Sequence, residues 1–162
     1  MLTSTKMSNE FSDKMIPVDS ESTGINNFAT SFENYFYEST IAGIPVNELS
    51  LEPCTNALKS AMTSVALNDA GLAMQSGIIA FWTMVSSVFL TIWTTSPPLI
   101  AVIPPINLST INATLQSVFA SNKKNSLNKN DSWNAISNVL HPLQLGGIAK
   151  IGPTPGVDTP IL

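Results

Sequence analysis

The chain has 162 residues, of which 44% are hydrophobic and only 11% charged, with a formal net charge of -4. Length and apolar content suit one domain with one core, while the charge content is less than half of the roughly 25% usual for soluble domains. All seven basic residues are lysine, so dedicated nucleic-acid binding lacks both a basic stripe and the arginine fork; the single cysteine, Cys54, and single histidine, His141, exclude an internal disulfide and a Cys/His zinc site.

Residues 1–24 carry Lys6, Glu10, Asp13, Lys14 and Asp19 with no apolar run between them, which predicts a flexible arm. No secretory signal is readable there, so the cytoplasm is the expected starting compartment, and Met7 and Met15 are alternative starts to Met1. Phe28, Phe32, Tyr35 and Phe36 follow at i, i+4, i+7 and i+8 and predict a helix over 27–39. Gly43 and Pro45 then interrupt the pattern and make 41–50 a connector. A second helix is expected to open at Glu52 and Pro53, where proline loses no intrahelical bond.

From Cys54 the pattern continues through Leu58, Met62 and Val65 to Met74, Ile78, Phe81, Val85 and Val88. This spacing predicts one long central apolar helix, or two with a bend, and Gly71, Gly77, Ala73 and Ala80 supply a seam for close packing. Asp69 is expected to be a solvated position. No charged side chain occurs over 70–122. The most apolar part, 77–93, is at the short edge of the roughly 17 to 25 residues that a membrane span needs and has no flanking Lys or Arg. Thr83, Ser87, Thr91 and Thr94 form a weakly polar stripe on it, opposite Phe81, Val85 and Val88, which favours a helix held between protein surfaces. A spanning or hairpin segment near 77–106, as in a holin-like membrane protein, is the alternative, with Trp82 and Trp93 at the bilayer interfaces instead of in packing.

Pro97, Pro98, Pro104 and Pro105 bracket Leu99, Ile100, Val102 and Ile103 and predict an extended apolar strap. Leu108, Ile111, Leu115, Val118 and Phe119 predict a third helix over 109–121, with Lys123 and Lys124 near its C-terminus. Asp131 is the expected N-cap of a fourth helix, carried by Trp133, Ile136, Val139 and Leu140 and stopping near His141 because Pro142 follows. Residues 146–162 hold Gly146, Gly147, Gly152 and Gly156 with Pro153, Pro155 and Pro160. They are expected to form an extended tail without regular structure, whose Ile148, Ile151, Val157, Ile161 and Leu162 lie on this chain or a neighbour. The expected architecture is all-α with about four helices: an arm over 1–24, a helical domain over 25–145 and a tail over 146–162.

Candidate chemistry is sparse. Nucleophilic catalysis would need Cys54 or a serine beside a base, and nothing in the spacing links Cys54 to His141. Cys54 in a first turn reads as structural, and His141 at a helix end reads as a capping or packing group. Glu33 with Glu38, and Glu48 with Glu52, present no clear acid/base pair, and Gly146 and Gly147 open no helix that could cradle a phosphate. No catalytic residue, cofactor or metal is therefore expected. The residues expected to pack or to form an interface are Gly77, Phe81, Trp82, Val85, Trp93, Pro97, Pro98, Pro104, Pro105, Ile161 and Leu162.

The order of elements also carries a likeness. Asn56, Ala57 and Ala61, then Gly77 with Ala80, Phe81 and Trp82, are followed by paired prolines, by Leu115, Val118, Phe119 and Asn122, and by 136–141. Gly146, Gly147 and a tail closing on Pro160, Ile161 and Leu162 complete it. Over 51–162 this layout resembles the small virion structural proteins of tailed bacteriophages from the tail and baseplate region. The resemblance implies a non-enzymatic assembly subunit, put together in the host cytoplasm, whose partners are its own copies or other virion proteins. It brings no catalytic residues with it.

Overall fold

A computed structural model describes residues 2–15, 20–41, 44–46, 50–65, 69–93, 98–152 and 156–161. Of the residues singled out above, Asp19, Gly43, Glu48, Thr94, Pro97, Pro153, Pro155 and Leu162 lie outside them. Six α-helices and a three-stranded antiparallel sheet are present among the described residues, so the fold is mainly helical and neither all-α nor four-helical.

The N-terminal segment supplies the first correction. Helix α1 (Ser4–Lys14) starts at Thr3, whose hydroxyl accepts the Lys6 N–H, and it buries Met7 and Phe11 completely. Phe11 stacks against Phe28 and Trp133, both with ring centroids 5.1 Å away. Asn34 donates to the Glu10 carboxylate and Ser31 to the Glu10 carbonyl, which fixes α1 on α2. Two large apolar residues at i and i+4 are too few to announce a helix by periodicity, yet enough to hold one against a waiting core.

Helix α2 (Glu21–Phe36) is capped by Ser20 and buries Phe28, Phe32, Tyr35 and Phe36. A short hairpin follows, β1 (Thr40–Ile41) with β2 (Ile44–Pro45). The long apolar stretch then resolves into two helices, α3 (Glu52–Thr63) and α4 (Ala70–Ile92). Asp69 divides them: its carboxylate caps α4 by accepting from the Leu72 N–H at 2.9 Å, so it is an N-cap and not a bystander. Gly77 lets the two helices close, since a methyl there would lie 2.7 Å from Met62 Cγ.

Helix α5 (Ile111–Lys124) follows a short 3-10 turn at Leu108–Thr110, and α6 (Lys129–Gln144) is capped by Asn128, three residues before the expected Asp131. Pro142 does not stop α6. It sits in the last turn, where it removes only the bond to Asn138, an exposed residue, and the helix continues to Gln144.

The strap and tail form the sheet, in the order β3 (Leu99–Ile103), β4 (Ile148–Ile151), β5 (Val157–Pro160). Val102 faces Ala149 in register and Lys150 faces Asp158, with which it forms an ion pair. The tail is thus regular and docked on its own chain. Gly152 and Gly156, with φ of +105° and +77°, adopt the left-handed backbone that the connection between β4 and β5 requires. The Ile161 N–H bonds the Gly147 carbonyl, so by alternation Pro160 occupies a position whose missing N–H would have pointed away from β4.

Helix α4 crosses the centre. Phe81 meets Phe32 and Phe36 edge-on at 5.0 Å, and Trp82 meets Phe36 at 5.1 Å. The Trp82 indole N–H donates to Gln144 Oε1 at 2.7 Å, and Gln144 Nε2 donates to the Leu140 carbonyl, which locks α4 to α6. Gly147 lies against the outer ring carbons of the same indole, where a Cβ would clash.

Two substitutions test this packing by urea unfolding. Phe11→Ala is expected to cost about 3–5 kcal/mol as a buried aromatic truncation, whereas a loose arm would leave the midpoint unmoved. Gly147→Ala drives a methyl into Trp82 Cη2 and is expected to cost about 1–3 kcal/mol through overpacking. Gly146→Ala, 3.3 Å from Pro105 Cβ, is expected to be milder.

Candidate functional site

The fold brings together one ionisable pair that sequence spacing could not show. Tyr35 on α2 and His141 on α6 are 106 positions apart, yet Tyr35 Oη and His141 Nδ1 lie 2.8 Å from each other. Burial pushes the Tyr35 phenol well above its usual range and holds the His141 imidazole below 6.5. Both shifts favour the neutral forms, and the tautomer of the imidazole sets which of the two groups donates the hydrogen bond. Ser137, one turn earlier on α6, is buried with its hydroxyl unpartnered. Cys54 is buried, and burial pushes its thiol up to about 12, so it is a poor nucleophile. No group of three His, Cys, Asp or Glu residues that could hold a metal occurs among the described residues.

Three concavities stand out among the described residues. Met15, Ile25, Phe28, Met62 and Met74 line an apolar pocket of about 280 Å³ between α2, α3 and α4, with Glu21 and Asp69 also on its wall. Thr5, Asn9, Asp13, Asp131 and Asn134 line a polar groove between α1 and α6. Ser50, Pro53, Ser87, Val88 and Thr91 line a shallow apolar groove beside α4. None of the three includes Tyr35, His141 or Cys54.

The structure places most of the expected packing and interface residues inside the chain. Gly77, Phe81, Trp82, Val85 and Ile161 are buried, and Pro105 is buried beside Gly146. Trp93 and Pro104 are half-buried, Pro98 is exposed, and Pro97 and Leu162 lie outside the described residues. What α4 shows to solvent is a different stripe. Leu72, Ile79 and Leu90 are 37%, 37% and 46% exposed, and Ser76, Thr83 and Ser87 share their side of the helix at helical spacing. The Thr83 hydroxyl donates to the Ile79 carbonyl and the Thr91 hydroxyl to the Ser87 carbonyl, both at 2.8 Å. Those hydroxyls are satisfied within the helix, so the face asks little of water. Sequence reading followed the larger Phe81, Val85 and Val88 stripe; the regular return of Leu and Ile among Ser and Thr was the available signal for this one.

Comparison with protein-family models, with curated proteins and with solved structures finds no match to this chain.

The half-buried imidazole gives a pH prediction. As pH falls below 6.5, the unfolded chain takes up the proton before the native one does, so stability is level above that value and declines beneath it. The decline ends once the native imidazole also protonates. Urea midpoints measured from pH 8 to pH 5 are expected to fall in the native sequence and to fall less in His141→Asn.

Proposed function

We propose that this protein is a non-enzymatic structural subunit of a larger assembly. It uses no cofactor, metal or nucleic acid, and its partners are copies of itself or other subunits. The observation that supports this reading is the free side of α4: Leu72, Ile79 and Leu90 are exposed within a stretch, 70–122, that has no charged residue. Large apolar side chains that recur on one uncharged side of a folded chain suit a surface that another surface covers. The likeness of layout over 51–162 takes the proposal further, to a tail or baseplate protein of a tailed-phage virion, assembled in the host cytoplasm.

One observation favours a membrane protein instead. Residues 70–91 of α4 form the one helix among those described that is long and apolar enough to cross a membrane by length and composition. Against that reading stands the other side of the helix, where Phe81, Trp82, Val85 and Phe89 are completely buried by this chain's own elements. The core helix of a water-soluble protein passes the same test of length and composition. The helices packed on α4 also carry exposed polar side chains, including Asn56, Ser60 and Gln116, and such groups are costly in hydrocarbon.

Expression without detergent, high-speed sedimentation and a carbonate wash separate the two. The subunit reading predicts protein that stays in the supernatant. Pelleted material that resists carbonate and is released only by detergent would establish the membrane reading. Val85→Lys is expected to give soluble but misfolded protein under the first reading and to abolish membrane insertion under the second.

A further inference from the structure

We infer that the groove between α1 and α6 is a binding site for a neutral sugar. None of its residues belongs to α4, so the site stands apart from the assembly reading and goes beyond it. Helix α1 contributes Thr5, Ser8, Asn9, Ser12 and Asp13, at i, i+3, i+4, i+7 and i+8. That is the spacing of one helix face, and here the face is wholly polar. The first turns of α6 supply the rest of the lining with Lys129, Asn130, Asp131 and Asn134. Phe11 stacked on Trp133 holds the two helices together. The space enclosed is about 490 Å³, within the ~300–1,000 Å³ of small-molecule sites.

Ser8 is the decisive residue. It is 8% exposed, the most buried member of the lining, yet its hydroxyl bonds no group among the described residues. Other buried hydroxyls are used by the fold: Ser31 donates to the Glu10 carbonyl, Ser39 to that of Phe36 and Thr55 to that of Leu51. Ser137 Oγ lacks a partner but is sealed within the protein, whereas Ser8 opens on the groove. A buried hydroxyl without a partner costs about 1–3 kcal/mol, so Ser8 takes its partner from the groove. Around it, the side chains of Asn9, Ser12, Asn130 and Asn134 also bond no other described residue.

The chemistry of the lining selects the ligand. Amides and hydroxyls both donate and accept, and so does every hydroxyl of a sugar, whose adjacent pairs can span one amide or one carboxylate. Lys129 is the one cation beside Asp13 and Asp131, the wrong balance for an anion such as phosphate. Calcium takes about 6–8 oxygen ligands and favours several carboxylates, and no group of three acidic, His or Cys residues occurs among those described. An apolar ligand would leave the amides and hydroxyls without partners.

Nuclear magnetic resonance of the isotope-labelled full chain tests the inference, with the side-chain amide signals of Asn9, Asn130 and Asn134 as reporters and that of Asn26, on α2, as control. Glucose and N-acetylglucosamine are the free-sugar probes, and cellobiose and chitobiose the glycan probes. The expected result is a saturable shift of the three reporters at millimolar sugar while Asn26 stays in place. A disaccharide that binds more tightly than its own monosaccharide assigns the site to a glycan; otherwise it takes the free sugar. Ser8→Ala is expected to weaken binding about fivefold and to leave the thermal midpoint level or higher, because it removes a hydroxyl that the fold does not use. Asn134→Leu, at an exposed position, is expected to abolish binding with circular dichroism unchanged. No saturable shift with any of the four sugars, or a stronger response of the same amides to magnesium chloride or sodium phosphate, would overturn the site. Sugar binding that is unchanged in both variants would overturn it as well.

Discussion

The indole of Trp82 holds the three parts of the chain together. Its N–H donates to the buried amide of Gln144 at the end of α6, its outer ring carbons occupy the space beside Gly147 just before β4, and its ring stands steeply against Phe36 of α2. An unpaired buried N–H would cost about 1–3 kcal/mol, so Gln144 is bound to this position by chemistry as well as by packing. The close approach of Gly147 sets where β4 begins and hence the register of the sheet on α4. Because the indole fixes which side of α4 looks inward, it also fixes which side looks out.

That division connects packing to the functional reading. An amphipathic surface helix has a charged outer face, whereas α4 has none, and the hydroxyls of Thr83 and Thr91 are already used by its own backbone. This chain covers one side of α4 with the aromatic residues of α2 and with α3, α6 and the sheet. The other side carries the proposal of an assembly subunit.

Much of the helical scaffold was legible in the sequence because it rests on local signals. The aromatic spacing of 28–36 gave α2, Pro53 gave the start of α3, and Leu108, Ile111 and Leu115 gave α5. What was not legible depended on contacts between distant parts. Helix α1 offers only Met7 and Phe11, and it persists because Phe28 and Trp133 take up Phe11. The strands β4 and β5 are four residues each amid glycine and proline, and their pairing depends on β3, some fifty positions upstream. The uncharged window was plain in the sequence, but its inner and outer sides could not be told apart there. Bulk pointed to Phe81, Trp82 and Val85 as contact residues, and bulk is what a core consumes first.

The central claim is that α4 is a core helix closed on one side by its own chain in water. Amide hydrogen exchange of the detergent-free protein, resolved along the chain, tests it most directly. The account predicts that the amides over 77–89 exchange among the slowest in the molecule, together with those of α2, and only through global unfolding. Fast exchange over 77–89 while α2 remains protected would contradict it, because α4 would then be loosely attached and free to serve a bilayer.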